Sequence, residues 1–288
     1  MSRPSPWNPT LRLGAVAYDA KVVTIWEGFR AWFAGQGLDV DFVLYSNYEA
    51  QVAAHFGGSL DVAWNSPLAW VETLRLAERR GRRATAIAMR DTDRDLTSAI
   101  LVRADDDVRS VADLRGRRVG VGAWDSPQAT LIPLAHLARA GIEPGPDVEI
   151  VRHDVLVGKH GDHIGGERDA AKALVAGTVD AACVIDGAQV LFTKEGSIPA
   201  GAVRVLETTP PYDHCNMTVL DGAPGDAVAR FRELLLSMAW DDPEVRPLLA
   251  LEGLKRWLEG RTEGYAQLEA AVDRSDYLRP WLEAMSAP

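Results

Sequence analysis

The sequence predicts an α/β protein made of two tandem units followed by a helical return. Three observations predict it. Short apolar runs alternate with amphipathic helical stretches from Leu11 to Arg90, and the same alternation restarts at Thr97 and runs to Asp186. The charged stretch "RDTDRDL", Arg90 to Leu96, separates the two series. Beyond about Ala223 only helical spacing is read, and no internal repeat of roughly 20 to 50 residues interrupts the pattern.

The first series opens with "LRLGAVAY", a buried-strand pattern that runs into a polar loop. In "VVTIWEGFRAWFAGQG" the residues Ile25, Phe29, Trp32 and Phe33 share one helical face, and Gly35 and Gly37 close the helix. "DVDFVLYS" is a second strand and "NYEAQVAAHFGG" a second helix. "LDVAWN" follows as a strand, then "SPLAWVETLRLAERR" as a helix with Ser66 at its N-cap and Pro67 at its first position. "ATAIAMR" completes the series. The second series reads as strand "TSAILVR", a capped turn "SVADL", strand "RRVGVGA", helix "SPQATLIPLAHLARAG", strand "DVEIVRH", helix "ERDAAKALVAG" and strand "VDAACVID".

Bulk composition narrows the function classes. The chain has 288 residues, 47% of them hydrophobic and 25% charged, enough to bury the cores of two ordinary lobes. A formal net charge of −10 argues against a general nucleic-acid or anionic-membrane binder. The run Arg79 to Arg83, "RRGRR", reads as a solvated helix end. Two cysteines, Cys183 and Cys215, make no disulfide framework for a chain of this size. No apolar run reaches the roughly 20 residues of a membrane helix, and the first residues lack a secretory pattern. The expectation is therefore a cytoplasmic protein without membrane insertion, and an extracytoplasmic one only if the natural start lies upstream.

Open α/β sheets bind ligands beyond the carboxyl ends of their strands. Those ends carry Tyr18, Tyr45, Ser46, Trp64, Asn65, Ser66, Trp124, Ser126, Gln128, His153 and Asp186, a set rich in aromatic and hydrogen-bonding side chains. These are the candidate ligand-binding residues.

The stretches "DLRGRRVGVGAWDSPQATLIPL" and "GGERDAAKALVAGTVDAACVID" resemble the second lobe of the phosphate/phosphonate-type substrate-binding proteins. "LRLGAVAYD" and "LDVAWNSPLAWV" resemble that family's first lobe, and the likeness runs from about Leu11 to Val219. It implies the type II periplasmic-binding-protein fold, a two-lobed clamp in which each lobe is a mostly parallel sheet flanked by helices. Lobe 1 would comprise residues 1–97 and 213–288, and lobe 2 residues 98–212. The family's anion motif is a Ser-Thr-Ser-Gly run at a helix N-terminus. This chain has Ser126-Pro127-Gln128-Ala129 there, with one hydroxyl, and Pro127 removes an N–H donor. Where the family tends to have Gly-x-His, this chain has Gly165-Gly166-Glu167, whose carboxylate would repel a phosphonate.

Three of the six histidines, His153, His160 and His163, fall at the end of the strand "DVEIVRH" and in the glycine-rich segment between it and the helix "ERDAAKALVAG". His160 and His163 are three apart, and the resemblance places "DHC", Asp213 to Cys215, on a crossover bordering the same cleft. A simple loop closure, direct ligand recognition and a transition-metal centre held by His160, His163 and His214 all remain open. His55 and His136 lie within helices and read as structural.

Two function classes follow. The first is a receptor of the phosphonate/phosphate ABC-transporter type, which holds a small polar or anionic solute in the interlobe cleft and partners a transporter's membrane component. The second is a cytoplasmic metal- or cofactor-dependent biosynthetic enzyme on the same fold, with Glu167, Lys159 and Cys215 as candidate catalytic groups.

Overall fold

The computed structural model describes residues 10–161 and 166–286. His163 and Gly165, singled out from the sequence, lie outside the described residues. The chain divides into two compact units. Unit 1 comprises residues 1–94, 213–263 and 280–288, and unit 2 comprises 95–212 and 264–279.

Unit 1 begins with β1 (Leu11–Val16), α1 (Lys21–Gly35), β2 (Val40–Tyr45), α2 (Tyr48–Phe56), β3 (Val62–Asn65), α3 (Pro67–Arg79) and β4 (Ala84–Arg90). Unit 2 holds β5 (Ser98–Arg103), β6 (Arg118–Val121), α4 (Ile132–Arg139), β7 (Glu149–Arg152), α5 (Gly166–Val175), β8 (Ala181–Ile185), α6 (Ala188–Lys194) and β9 (Val203–Thr208). The chain then returns through β10 (Asn216–Leu220), α7 (Gly225–Ser237), α8 (Arg246–Glu252) and β11 (Trp257–Glu259) to α9 (Ala266–Ser275) and α10 (Arg279–Ser286). Of these, α9 belongs to unit 2 and packs on α4.

The two sheets follow one plan. In unit 1 the strand order is β11-β4-β10-β3-β1-β2. The strand β1 pairs in parallel with β2 and β3, while the returning β10 inserts antiparallel between β3 and β4. In unit 2 the order is β7-β6-β8-β5-β9, with β6 parallel to β7 and β8 and the entering β5 antiparallel to β8 and β9. Most strands of each sheet thus point one way, and a strand beside the point of crossing runs against them.

Local chemistry sets the element ends. Asn47 caps α2, its Oδ1 accepting from Ala50 N at 2.7 Å, and Ser66 caps α3, its Oγ accepting from Ala69 N at 3.1 Å. The apolar face of α1 buries Val22, Ile25, Trp26, Phe29 and Phe33 in the unit 1 core. The helix expected from Ser126 onward starts differently. Residues Pro127–Leu131 form a π-helical turn before α4, because Pro133 has no N–H to give the Ala129 carbonyl. That carbonyl accepts from Gly122 N at 3.2 Å instead, and Leu131 N reaches five residues back to Ser126 O at 2.9 Å. The tail is also not purely helical. Trp257 anchors the three-residue β11 against β4, buried against Trp64 and Phe29 at ring-centroid distances of 5.6 and 6.1 Å.

His55 sits in the last turn of α2, 3% exposed, as a structural histidine would. Burial pushes its imidazole down to about 4, with Asp61 partly opposing the shift and Arg82 reinforcing it. Between that value and the unfolded value near 6.5 the unfolded chain holds the extra proton, so stability falls as the pH drops. The expected loss from pH 7 to pH 4 is on the order of 3 kcal/mol from this group alone. Urea unfolding of the wild type and His55→Gln across that range checks it, and the variant's stability should lose this part of the slope.

Candidate functional site

The best-built constellation in unit 2 lies at the carboxyl ends of β6 and β7. The loop after β6, Gly122 to Gln128, is tied to the loop after β7 by three hydrogen bonds among the described residues. Trp124 N donates to Asp154 Oδ1 at 2.9 Å, and Gly158 N donates to Asp125 Oδ2 at 2.5 Å. Gln128 Nε2 donates to the Gly161 carbonyl. Gly166, at the start of α5, lies so close to the His153 carbonyl that a Cβ on it would stand 2.1 Å from that oxygen. The glycines are required here. Gly161 has φ +67°, and a Cβ on it would meet Ser126 Oγ at 2.3 Å.

Within this frame Ser126 is 1% exposed, and its Oγ accepts from Ala129 N at 3.2 Å, so the surviving hydroxyl of the motif caps its own turn. Gln128 is buried, and its main-chain carbonyl accepts from Ser98 Oγ at 2.5 Å. Because Nε2 faces a carbonyl, Oε1 points elsewhere, and it is buried without a hydrogen-bond partner among the described residues. His153 Nε2 is likewise buried without such a partner. Trp124 is 40% exposed, with its ring 4.6 Å from that of Tyr277. Asp186, at the end of β8, is exposed and accepts from Thr97 Oγ1 at 3.1 Å.

The groups proposed for catalysis are placed as follows. Glu167 is buried in the first turn of α5, with Oε2 accepting from Ile185 N at 2.8 Å. It occupies the N-terminus of its own helix, and burial, reinforced by its negative charge, pushes the Cys183 thiol up to about 12. Burial lowers the Lys159 ammonium. His160 is buried at φ +53° in the same loop.

In unit 1 the strand ends are more fully committed. Tyr18 and Tyr45 are half-buried after β1 and at the end of β2, and burial raises the Tyr45 phenol. Ser46 is exposed beside Tyr45. The Trp64 ring lies beneath the Arg90 guanidinium at 5.1 Å. Asn65 is enclosed: Oδ1 accepts from Gln51 Nε2 at 2.9 Å, and Nδ2 donates to Thr218 Oγ1 at 3.0 Å and to Thr73 Oγ1 at 3.3 Å. Its hydrogen-bonding capacity is spent on joining β3, α2, α3 and β10. Ser66 is buried as the α3 cap.

Sequence reasoning underrated one cluster in unit 1. His214 Nδ1 lies 3.1 Å from Cys215 Sγ and 3.5 Å from Asp93 Oδ1. They precede β10 in irregular backbone, where strand alternation does not apply. Asp93 is bound by Arg90 through Nε at 2.6 Å and Nη2 at 2.8 Å, and Arg90 also contacts Glu252 Oε1 at 3.2 Å. Burial alone would raise the Asp93 carboxyl, but Arg90 outweighs it and holds the group at about 2. Asp93, His214 and Cys215 form a group that could hold a metal ion. Asp125 and Asp154, which tie the unit 2 loops, were also missed as anchors. Their one sequence signal is an acidic residue immediately beside each strand-end residue named above.

The family described as "ABC transporter, phosphonate, periplasmic substrate-binding protein" matches residues 15–265. A probable ABC transporter phosphite-binding protein of Prochlorococcus marinus, strain MIT 9301, is 23% identical over 247 residues, covering 81% of this chain and 77% of the relative. The solved structure of PhnD1 from that organism with methylphosphonate is 18% identical at a TM-score of 0.68, covering 93% of this chain and 98% of the other. XAC2383 from Xanthomonas citri bound to ATP is 19% identical at a TM-score of 0.70, covering 93% and 98%. These structural likenesses show the fold.

Gly161→Ala should break the Ser126–Gln128–Gly161 contact, because the new methyl has neither the space nor the backbone conformation it needs. The expected cost is about 2 kcal/mol or more, measured as a fall in urea midpoint against the wild type. Gly141→Ala, also at positive φ but in open space, should cost less.

Proposed function

The chain belongs to the phosphonate-type periplasmic substrate-binding proteins of ABC transporters, and from this premise we propose that its ligand is a small phosphorus oxyanion such as phosphite or a short alkylphosphonate. The family match over residues 15–265 carries the receptor assignment and also corrects the cytoplasmic expectation. That expectation rested on the composition of the first residues alone, whereas the family and its solved relatives are periplasmic binding proteins. A small-molecule ligand and a transporter component are the partners that go with this family. Among the described residues no helix is long and apolar enough to cross a membrane.

The ligand proposal draws on the relatives that bind phosphite and methylphosphonate, and on two buried polar atoms at the unit 2 strand ends, Gln128 Oε1 and His153 Nε2. Buried polar groups of this kind are normally satisfied by protein, water or ligand. Gln128 Oε1 only accepts, so it suits a donor on the ligand, such as the hydroxyl of a monoprotonated oxyanion. His153 can supply a donor to the anion. Within unit 2, Ser126 and Trp124 complete the proposed contacts, with the half-exposed Trp124 ring flanking any alkyl group. Glu167 at the N-terminus of α5 disfavours a second negative charge, so the singly charged form is preferred.

Isothermal titration with phosphite, methylphosphonate, phosphate and sulfate checks the ligand. Phosphite or methylphosphonate should bind at least about tenfold more tightly than sulfate, a difference of about 1.4 kcal/mol. Gln128→Leu should weaken that binding by about tenfold. A chain that ignores all phosphorus oxyanions at millimolar concentration, yet binds another solute, would retain its receptor class and lose this ligand assignment.

A further inference from the structure

The strongest unassigned chemistry in the molecule is the mixed sulfur, nitrogen and oxygen cluster at the unit 1 ends of the two crossing segments. We propose that Cys215 Sγ, His214 Nδ1 and Asp93 Oδ1 bind one divalent transition-metal ion of the zinc type. The proposal is independent of the ligand argued above.

Geometry supports it first. Bonds of about 2.3 Å to sulfur and 2.0–2.2 Å to nitrogen and oxygen put tetrahedral donors roughly 3.4–3.6 Å apart. The observed separations are 3.1 Å for Nδ1 to Sγ and 3.5 Å for Nδ1 to Oδ1, and all three donor atoms lie within 4.8 Å of one another. Small side-chain rotations close the difference. The fourth position then falls to water.

The surroundings support it second. A metal-bound carboxylate needs a partner that fixes its orientation, and Asp93 has one in Arg90, which is itself held by Glu252 and laid over Trp64. The backbone fixes the other side, since His214 N donates to the Asp93 carbonyl at 2.8 Å. Donors from residues 93, 214 and 215 are thereby brought together across a long stretch of chain.

Charge supports it third. Asp93 and Glu252 carry two negative charges against one on Arg90. Loss of the Cys215 proton would leave a local charge of −2, which a divalent cation neutralises. The step balances as thiol plus M²⁺ giving metal thiolate plus one released proton. A thiolate and an imidazole beside a single carboxylate select zinc or cobalt over magnesium or calcium, which prefer oxygen. Such an ion would cross-link the two segments where the chain leaves unit 1 and re-enters it.

The test uses the full chain, purified without a histidine tag, stripped with chelator and titrated with Co²⁺. One equivalent should bind and produce a thiolate-to-cobalt charge-transfer band in the near ultraviolet, which Zn²⁺ then abolishes. Cys215→Ser and His214→Ala should weaken binding by about 100-fold or more and remove the band, while Cys183→Ser keeps it. Circular dichroism establishes that the variants are folded. If His214→Ala unfolds, the wild type and the near-isosteric Cys215→Ser still decide the matter. No band in the wild type, a band that follows Cys183, or full binding by folded Cys215→Ser each overturns the proposal.

Discussion

Each lobe of this protein depends on a ladder of backbone hydrogen bonds that runs against the direction of its sheet. A chain that builds one α/β unit, leaves it and later returns must pair every exposed strand edge it creates. Here β10 returns between β3 and β4, and β5 enters between β8 and β9, both antiparallel to their neighbours. Without β10, β3 and β4 would have no shared partner, and the unit 1 sheet would split into two pieces. The buried polar network of Gln51, Asn65, Thr73 and Thr218 lies at that junction and ties β10 to β3 through side chains as well. This accounts for an asparagine with complete hydrogen bonding at a strand end where a ligand contact was expected. Leaving such a group unpaired in the interior would cost more than its bonds contribute.

The loops that carry chemistry in unit 2 depend on a second constraint, close approach. Gly161 and Gly166 allow one loop to lie against Ser126 and another against His153, and two aspartates, Asp125 and Asp154, accept the backbone N–H groups that the irregular chain leaves over. The concentration of histidines in this segment has a structural context in that packing. His153 is a strand-end residue whose backbone is pressed by α5, and His160 is a buried turn residue at positive φ.

Much of this was legible in the sequence. Alternation of apolar period gave the strands and helices of both series, and Ser66-Pro67 marked the start of α3 because cap and first-turn chemistry are local. The parts that were not legible depend on partners far away in the chain. Three residues are too few to show a period, so β11 appears only through the packing of Trp257 against Trp64. The π-helical turn follows from a missing donor at Pro133 combined with a distant one at Gly122. The meeting of His214 and Cys215 depends on irregular backbone held by Asp93, more than a hundred residues earlier. At the site, the residue types at the strand ends could be read, but which of them are consumed by the fold, as Asn65 and Ser66 are, required the contacts themselves.

The family and the ligand are recorded in different parts of the chain, which explains why one was plain and the other altered. Family membership rests on a match spread over residues 15–265, which takes in most of the strands and helices of both units. Oxyanion recognition rests on a handful of hydroxyl and N–H groups at one helix start. Here Pro127 deletes an N–H, Ser126 turns its hydroxyl to its own cap, and Glu167 fills the next helix N-terminus. Each change is compatible with the fold, because the π-helical turn and the carboxylate bond to Ile185 satisfy the backbone groups that would otherwise be orphaned. A scaffold with its own backbone satisfied in this way is free to change ligand chemistry without changing shape. The proposed ligand contacts accordingly rest on polar atoms that the fold leaves without a protein partner among the described residues, and in unit 2 these include Gln128 Oε1 and His153 Nε2.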